Sequence, residues 1–390
     1  MAELPGIGVF GTGYVNRHLI SILKEEGFEV EALWGKNLAD VQRIGKDLSI
    51  NFTTTKVDEL LLHKNVDLIC IHSAPHVQSP VAVKALGIGK HVICGLPCGP
   101  RPHDTLKMVK AAEYYPALMA IILNCHRFLP CFSKMREMLQ SGYIGGLNVC
   151  EITVRCGSQV GETYEWVCDE RMGGGILNFY GSMVIDLITY LLNQRIVKVN
   201  GVSRTFNRQT KHIKGIREID SDDFCSFQME LSGGAHAVVT INSHVPGDFS
   251  QEVLICGSGG YLRVQDTDLF AKQGEAFVEE VIRSENVDDV LRSLDEKPES
   301  VSAACRGMKQ FVKTLKNAFM AVDERHGYDK NLIQNAENFV DALYVQNVIE
   351  AVKLSSRTHV WTQVETDCEG KHEVNGLKSS LKPTTASILL

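Results

Sequence analysis

Read as apolar and polar positions, the chain opens with a short β-branched run, Ile7-Gly8-Val9-Phe10, that stops at Gly11-Thr12-Gly13. From Tyr14 to about residue 26 the spacing becomes helical, with Leu19, Ile20 and Leu23 on one face. Apolar runs at 29–35, 51–54, 66–74, 91–95 and 117–125 then alternate with helical stretches at 38–49, 57–63, 78–86 and 103–115. Two of these runs, Val66-Asp67-Leu68-Ile69-Cys70-Ile71 and Leu118-Met119-Ala120-Ile121-Ile122-Leu123, are almost unbroken, as strands covered on both faces are. Strand and helix in regular alternation predict an α/β domain with a parallel, doubly wound sheet over residues 1–125.

Beyond residue 125 the pattern changes. A helix is expected at 128–141, stopped by Gly142, Gly145 and Gly146. In the following run Ile152, Val154 and Cys156 alternate with Glu151, Thr153 and Arg155, which is the signature of a strand with one covered face. Similar runs occur at 196–205, 224–231, 235–242, 251–256 and 261–265, with helices at 176–192, 303–319 and 334–354. The prediction is a second, α+β domain over 126–362 built on a large, mostly antiparallel open sheet. The acidic, weakly periodic stretch 274–299 reads as a mobile loop, and the polar, turn-rich stretch 363–390 as a disordered tail.

Composition narrows the function classes. With 390 residues, 44% hydrophobic, the chain can bury a large core and should form two domains. A net charge of −7 and a pI near 6.0 leave no basic footprint for nucleic acid. No unbroken apolar run reaches the ~18 residues of a membrane span, and the first residues lack a signal-peptide pattern. The expectation is a cytoplasmic protein. Its 12 cysteines are scattered, several in strand-like runs, as buried free thiols in a reducing compartment would be. No metal-ligand spacing occurs; Cys94 and Cys98 share a turn without further ligands.

The chemistry sits first at Gly11-Thr12-Gly13. A strand, a glycine turn and a helix in that order form the dinucleotide-binding unit. Gly11 permits the tight turn, Gly13 lets a pyrophosphate approach the backbone, and the helix start at Tyr14 and Val15 offers N–H groups to the anion. Asn16 stands where the fingerprint has its third glycine. The competing reading is an ordinary strand-turn-helix with packing glycines. The end of the second strand, Trp34-Gly35-Lys36, carries no carboxylate to bind a ribose hydroxyl. Lys36, with Arg43, could instead neutralise a 2′-phosphate, which favours NADP(H) over NAD(H); a solvated loop lysine is the plain alternative.

Several longer motifs carry a family resemblance over about residues 5–360. The Gly8-Val9-Phe10-Gly11-Thr12-Gly13 run, Gly87-Ile88-Gly89-Lys90-His91-Val92-Ile93-Cys94, Asn124-Cys125-His126-Arg127-Phe128-Leu129-Pro130 and Gly173-Gly174-Gly175 resemble the glucose–fructose oxidoreductase/inositol dehydrogenase family. Glu31-Ala32-Leu33-Trp34-Gly35-Lys36, His212-Ile213-Lys214-Gly215-Ile216-Arg217 and Ser221-Asp222-Asp223-Phe224-Cys225 are similar to its animal glucose–fructose oxidoreductase domain-containing members. The resemblance implies a Rossmann domain that binds NADP(H) and a C-terminal sheet domain that often makes a dimer. It assigns cofactor contact to Gly11, Thr12, Gly13, Tyr14, Val15, Trp34, Gly35, Lys36, Ser73, Pro75, Gly95, Trp166 and Arg171.

The departures decide the functional reading. The family's catalytic lysine position is occupied by Leu96, and its aspartate and histidine or tyrosine positions by Phe179 and Met183. Gly181 and Asp186 still match, which fixes the register. General acid–base groups typically contribute 10²–10⁴-fold, at about that order of magnitude, and these side chains supply none. Tyr180, Asn178, Tyr164 and His72 are the candidate substitutes. The sequence therefore reads as an NADP(H)-binding pseudoenzyme acting through unknown protein partners. An active oxidoreductase on a sugar-like or other carbonyl substrate, and a nucleotide-free scaffold, are the alternatives.

Overall fold

A computed structural model describes residues 4–210, 212, 218–247, 249–274, 279–283, 299–322 and 327–365. The first sheet is built from β1 (Ile7–Phe10), β2 (Val30–Trp34), β3 (Phe52–Thr54), β4 (Leu68–Ile71), β5 (His91–Cys94) and β6 (Ala120–Ile122). Its strands run parallel in the order β6-β5-β4-β1-β2-β3. Every residue of β1, β4 and β5 is buried, as the unbroken apolar runs required. Between the strands run α1 (Tyr14–Glu25), α2 (Leu38–Asp47), α3 (Val57–Leu61), α4 (Pro75–Gly87) and α5 (Pro102–Tyr114). The Asn37 side chain caps α2 by accepting from Ala39 N and Asp40 N, while α4 and α5 each start on proline, whose fixed φ suits a first turn. The strand order reverses between β1 and β4, which opens a crevice at their C-terminal ends.

After a short 3₁₀ turn (Cys125–Phe128), α6 (Pro130–Gln140) leads into the second sheet. Its strands are β7 (Leu147–Arg155), β8 (Ile196–Arg204), β9 (Phe224–Leu231), β10 (His236–Asn242), β11 (Ser250–Gly257), β12 (Gly260–Gln265), β13 (Asp268–Gln273) and β14 (Glu280–Arg283). Only the β7–β10 pair is parallel; the other pairs are antiparallel. One face is a single apolar core in which Ile152, Val154, Phe227 and Val239 meet Phe132, Met135, Leu187 and Val348. The other face, carrying Glu151, Thr153, Arg155 and Val238, is exposed or half-buried.

A π-type turn (Leu177–Gly181) runs straight into α7 (Ser182–Leu192). The stretch Glu170–Leu192 has 23 residues and a mean hydropathy of 1.4, enough by length and composition to span a membrane, yet 72% of that window lies inside the protein. It is the core helix of the second domain. Its interrupting polar residues, such as Asn178 and Asp186, break the run that the sequence would need to show continuously.

Three features depart from the sequence expectation. Strand β13 was not foreseen, and β14 falls inside the expected loop 274–299; residues 275–278 and 284–298 of that loop lie outside the described set. In β13 only Leu269 and Ala271 face the core, too short an alternation to read alone. Helix α8 (Glu299–Met320), assigned by sequence to the second domain, buries Met308, Phe311, Leu315 and Phe319 in one cluster with Ile7, Leu19, Leu23 and Val30 of the first. Strand β15 (Glu337–Asn338) likewise joins the first sheet, antiparallel to β6. Both elements follow the second sheet in the chain yet pack with the first, because an amphipathic pattern says that a face is buried but not against what.

Helix α9 (Phe339–Thr358) ties the halves together. Its Asn338–Asp341 capping box fixes its start, Phe339 and Leu343 pack into the first domain, and Val345, Val348 and Ile349 into the second. Strand β16 (Thr362–Gln363) adds to β8, and Val364 is 7% exposed, so order continues through the start of the expected tail; residues 366–390 lie outside the described set. Between the domains, Arg127 forks onto Asp186, and Asn124 Nδ2 donates to Asp186 at 2.6 Å and to Glu337 at 2.9 Å. Glu337 is fully buried, and burial together with the nearby Asp186 pushes its carboxyl well above the usual range.

Candidate functional site

The crevice at the C-terminal ends of β1, β2, β4 and β5 gathers most of the residues singled out by sequence. Gly11 has φ +123°, and a Cβ there would stand 2.4 Å from both Asn16 Nδ2 and His72 O. Only glycine fits. Asn16, in place of the third glycine, donates from Nδ2 to His72 O at 2.7 Å and so fastens the turn to the end of β4. A Cβ on Gly13 would meet nothing within 4 Å, leaving the backbone open to an approaching anion. Gly13 caps α1, whose first N–H groups have no partner within the helix, and Tyr14 and Val15 are exposed there.

The tip of β2 lies against this turn. Gly11 N donates to Trp34 O at 3.0 Å, and a Cβ on Gly35 would be 2.6 Å from Thr12 Cγ2. The Trp34 indole is directed to Thr55 O and its ring rests on Phe10. Lys36 is exposed at the tip, whereas Arg43 is engaged by Asp40 at 3.5 Å. Beyond β4, Ser73 Oγ is buried without a hydrogen-bond partner. Pro75 is buried because Gly173 of the second domain closes over it: a Cβ on Gly173 would be 2.7 Å from Pro75 Cβ. An open glycine turn on a helix start, an orphaned hydroxyl and a β2 tip free of carboxylate fit a nicotinamide dinucleotide.

Beside the turn lies a cavity of about 250 Å³. Val15 and His18 of α1, His72 after β4, Leu96 after β5 and the segment Leu123-Asn124-Cys125-His126 after β6 form one wall. Phe179, Tyr180 and Met183, with Phe249 and Gln251 at the start of β11 and Cys305 and Met308 of α8, form the other. Leu96, Phe179 and Met183 thus face one another in a single space. Among the described residues, no Lys, Arg, Asp or Glu lines it.

Burial shifts four of the titratable groups that line the cavity towards their uncharged forms. Burial lowers His72, and burial pushes His126 down to about 4. Burial raises the Cys125 thiol to about 12. Burial, with Cys156 alongside, also raises the Tyr180 phenol, whose oxygen accepts from Gln159 at 2.8 Å. Of the candidate substitutes, His72 and Tyr180 line the cavity, whereas Asn178 and Tyr164 do not. Asn178 instead donates to Gly174 O at 2.7 Å.

Two sequence candidates do not line this cavity. Trp166 lines a separate hollow of about 20 Å³ with Asp222 and the opposite edge of Phe179. Arg171 is exposed on the turn Glu170–Met172 and touches neither space. Asp222 was overlooked as a site residue. Its carboxylate accepts Leu177 N at 2.8 Å, and a Cβ on Gly175 would be 2.2 Å away, so it holds the start of the helix that carries Phe179 and Met183. Burial raises it to about 7. His126 was also missed, although its place just past a parallel strand is where ligands bind in such sheets. Gln251 and Phe249 carried no signal, since they arrive from the other sheet. Among the described residues, no group of three or more His, Cys, Asp or Glu could hold a metal.

Comparison with known proteins agrees with this architecture. Residues 6–121 match the oxidoreductase family with an NAD-binding Rossmann fold, and residues 132–263 match the GFO/IDH/MocA C-terminal domain. The chain is 44% identical over 363 residues to glucose-fructose oxidoreductase domain-containing protein 1 of Xenopus tropicalis, covering 93% of each. It is 40% identical over 366 residues to protein 2 of that name from Homo sapiens, covering 94% of each. Among solved structures, an oxidoreductase domain protein from Kribbella flavida superposes with a TM-score of 0.78 at 19% identity, over 94% of this chain and 100% of that one. Levoglucosan dehydrogenase in complex with NADH and levoglucosan superposes with a TM-score of 0.75 at 15% identity, over 92% and 99%. The glycine turn, the crevice above it and the second sheet are therefore those of a family, and the chain belongs to the GFO/IDH/MocA oxidoreductases.

Proposed function

We propose that the chain binds NADP(H) and has lost dehydrogenase catalysis, so that it works as a cofactor-keeping pseudoenzyme. The observation that carries this reading is the apposition of Leu96, Phe179 and Met183 in a cavity that no Lys, Arg, Asp or Glu lines among the described residues. A bound nicotinamide would supply hydride chemistry. The chain must then move the accompanying proton, and the best acid or base has a pKa near the working pH. His126, at about 4, is too weak a base, and Tyr180, pushed up by burial, too weak an acid. What the residues do instead is exclude water and hold an apolar surface beside the nucleotide turn.

Preference for NADP(H) rests on Lys36 and on the missing carboxylate at the tip of β2. The structurally similar levoglucosan dehydrogenase is in complex with NADH, and the distinction belongs to residues at this tip. The half-exposed face of the second sheet is proposed as a homodimer surface, the remaining activity being exerted on protein partners. The experiment is to load purified protein with NADPH and follow its oxidation against a panel of sugars, aldehydes and ketones. No consumption above the protein-free rate is expected. Leu96→Lys should bind NADPH within about threefold of wild type and stay inactive, because Phe179 and Met183 remain. Steady turnover by the wild type with any of these compounds would overturn the reading.

A further inference from the structure

We infer that the cavity is a binding site for a small, uncharged, mostly apolar ring compound carrying a single hydrogen-bonding oxygen, held by the imidazole of His72. The inference deepens the proposed function by naming the occupant of the same site, and rests on that reading only for the nucleotide beside it.

Size comes first. A space of about 250 Å³ is below the ~300–1,000 Å³ of sites for drug-sized ligands, and suits one ring or two. Its walls exclude two larger classes of ligand. Leu96, Phe179, Met183, Phe249 and Met308 offer no partner to hydroxyl groups, and each buried, unpaired hydroxyl of a polyol costs ~1–3 kcal/mol. With no Lys or Arg among the described residues of the lining, a carboxylate or phosphate would be desolvated without a counter-ion.

Besides two cysteines, the polar side chains of the lining are His18, His72, Asn124, His126, Tyr180 and Gln251, and most of them have partners. Asn124 gives its amide to Asp186 and Glu337, Gln251 donates to Asp266 O at 3.0 Å, and the Tyr180 oxygen accepts from Gln159. His72 differs, because its position depends on the absence of a side chain at residue 95. A Cβ on Gly95 would stand 2.5 Å from His72 Cδ2 and 3.2 Å from its Nε2. Gly95 therefore admits the imidazole to the cavity wall beside Leu96. Glycine at 95 and histidine at 72 act as a pair that places a hydrogen-bonding ring beside Leu96 on the cavity wall.

The test is calorimetric titration of the full chain, with and without saturating NADPH, using acetophenone, benzoate and myo-inositol as probes. Acetophenone is expected to bind at one site at least tenfold more tightly than either of the others. Gly95→Ala, which displaces the imidazole, should weaken acetophenone about tenfold, the equivalent of one hydrogen bond. Gly87→Ala, whose Cβ meets nothing within 4 Å, should leave its affinity unchanged. Equal binding of benzoate or myo-inositol, or an acetophenone affinity indifferent to Gly95→Ala, would overturn the inference, as would absence of acetophenone binding in both states. Acetophenone binding to a chain that takes up no NADPH would leave this inference standing while the cofactor reading fell.

Discussion

On the proposed reading, cofactor choice turns on Lys36. It stands exposed at the end of β2, where an acidic side chain would repel a 2′-phosphate and an ammonium attracts one. Lys36→Glu is expected to weaken NADPH by roughly tenfold to a hundredfold, the worth of a hydrogen bond to a charged group, while changing NADH little. Fluorescence titration with both nucleotides measures it, and equal loss for both would remove Lys36 from the phosphate. Two buried groups set opposing pH slopes. Asp222, at about 7 when folded against ~3.9 unfolded, keeps its proton in the native state. Its contribution is full below about 4 and is lost as pH rises towards 7. His126, at about 4 against ~6.5 unfolded, contributes above about 6.5 and loses its contribution as pH falls towards 4. Asp222→Asn can still accept from Leu177 N, so it should raise the melting temperature at pH 8 by about 2–4 °C and leave it unchanged below pH 4. Melts at the two pH values that moved together would contradict this assignment.

At the scale of elements, the parallel half was legible because strands buried on both faces leave unbroken apolar runs, as in β4 and β6. The glycine turn was legible for the same kind of reason: φ +123° at Gly11 can be met by few residues. The docking of α8 was not legible. Its apolar stripe fits either domain, and only the fold shows Phe311 against Phe128 with ring centroids 5.2 Å apart. Nor could the sequence tell that Trp166 and Arg171 do not line the cavity, since both lie in loops whose paths it does not encode locally. A fragment of residues 1–125 would lack α8 and expose the surface around Leu19 and Leu23. Such a fragment should give a poorly dispersed amide spectrum, whereas a well-dispersed one would show that α8 is dispensable. Phe311→Ala in the full chain should cost ~3–5 kcal/mol by opening a cavity, read by denaturant unfolding.

For the whole molecule, two sheets meet across α9 and the Arg127–Asp186 pair, and the crevice between them sets the family's nucleotide cradle beside a cavity that no described Lys, Arg, Asp or Glu lines. Binding and chemistry are separable because they reside on different parts of the fold. The cradle belongs to backbone at the ends of β1 and β2; the chemistry would belong to side chains at 96, 179 and 183. Loss of the second leaves the first intact. The most direct test follows NADPH fluorescence as purified protein is added, and then watches the same sample for hours after a carbonyl compound is supplied. The expected result is saturable one-site binding, tighter than for NADH, with a signal that holds steady. Failure to saturate would contradict retention of the cofactor, and a decaying signal would contradict the loss of chemistry.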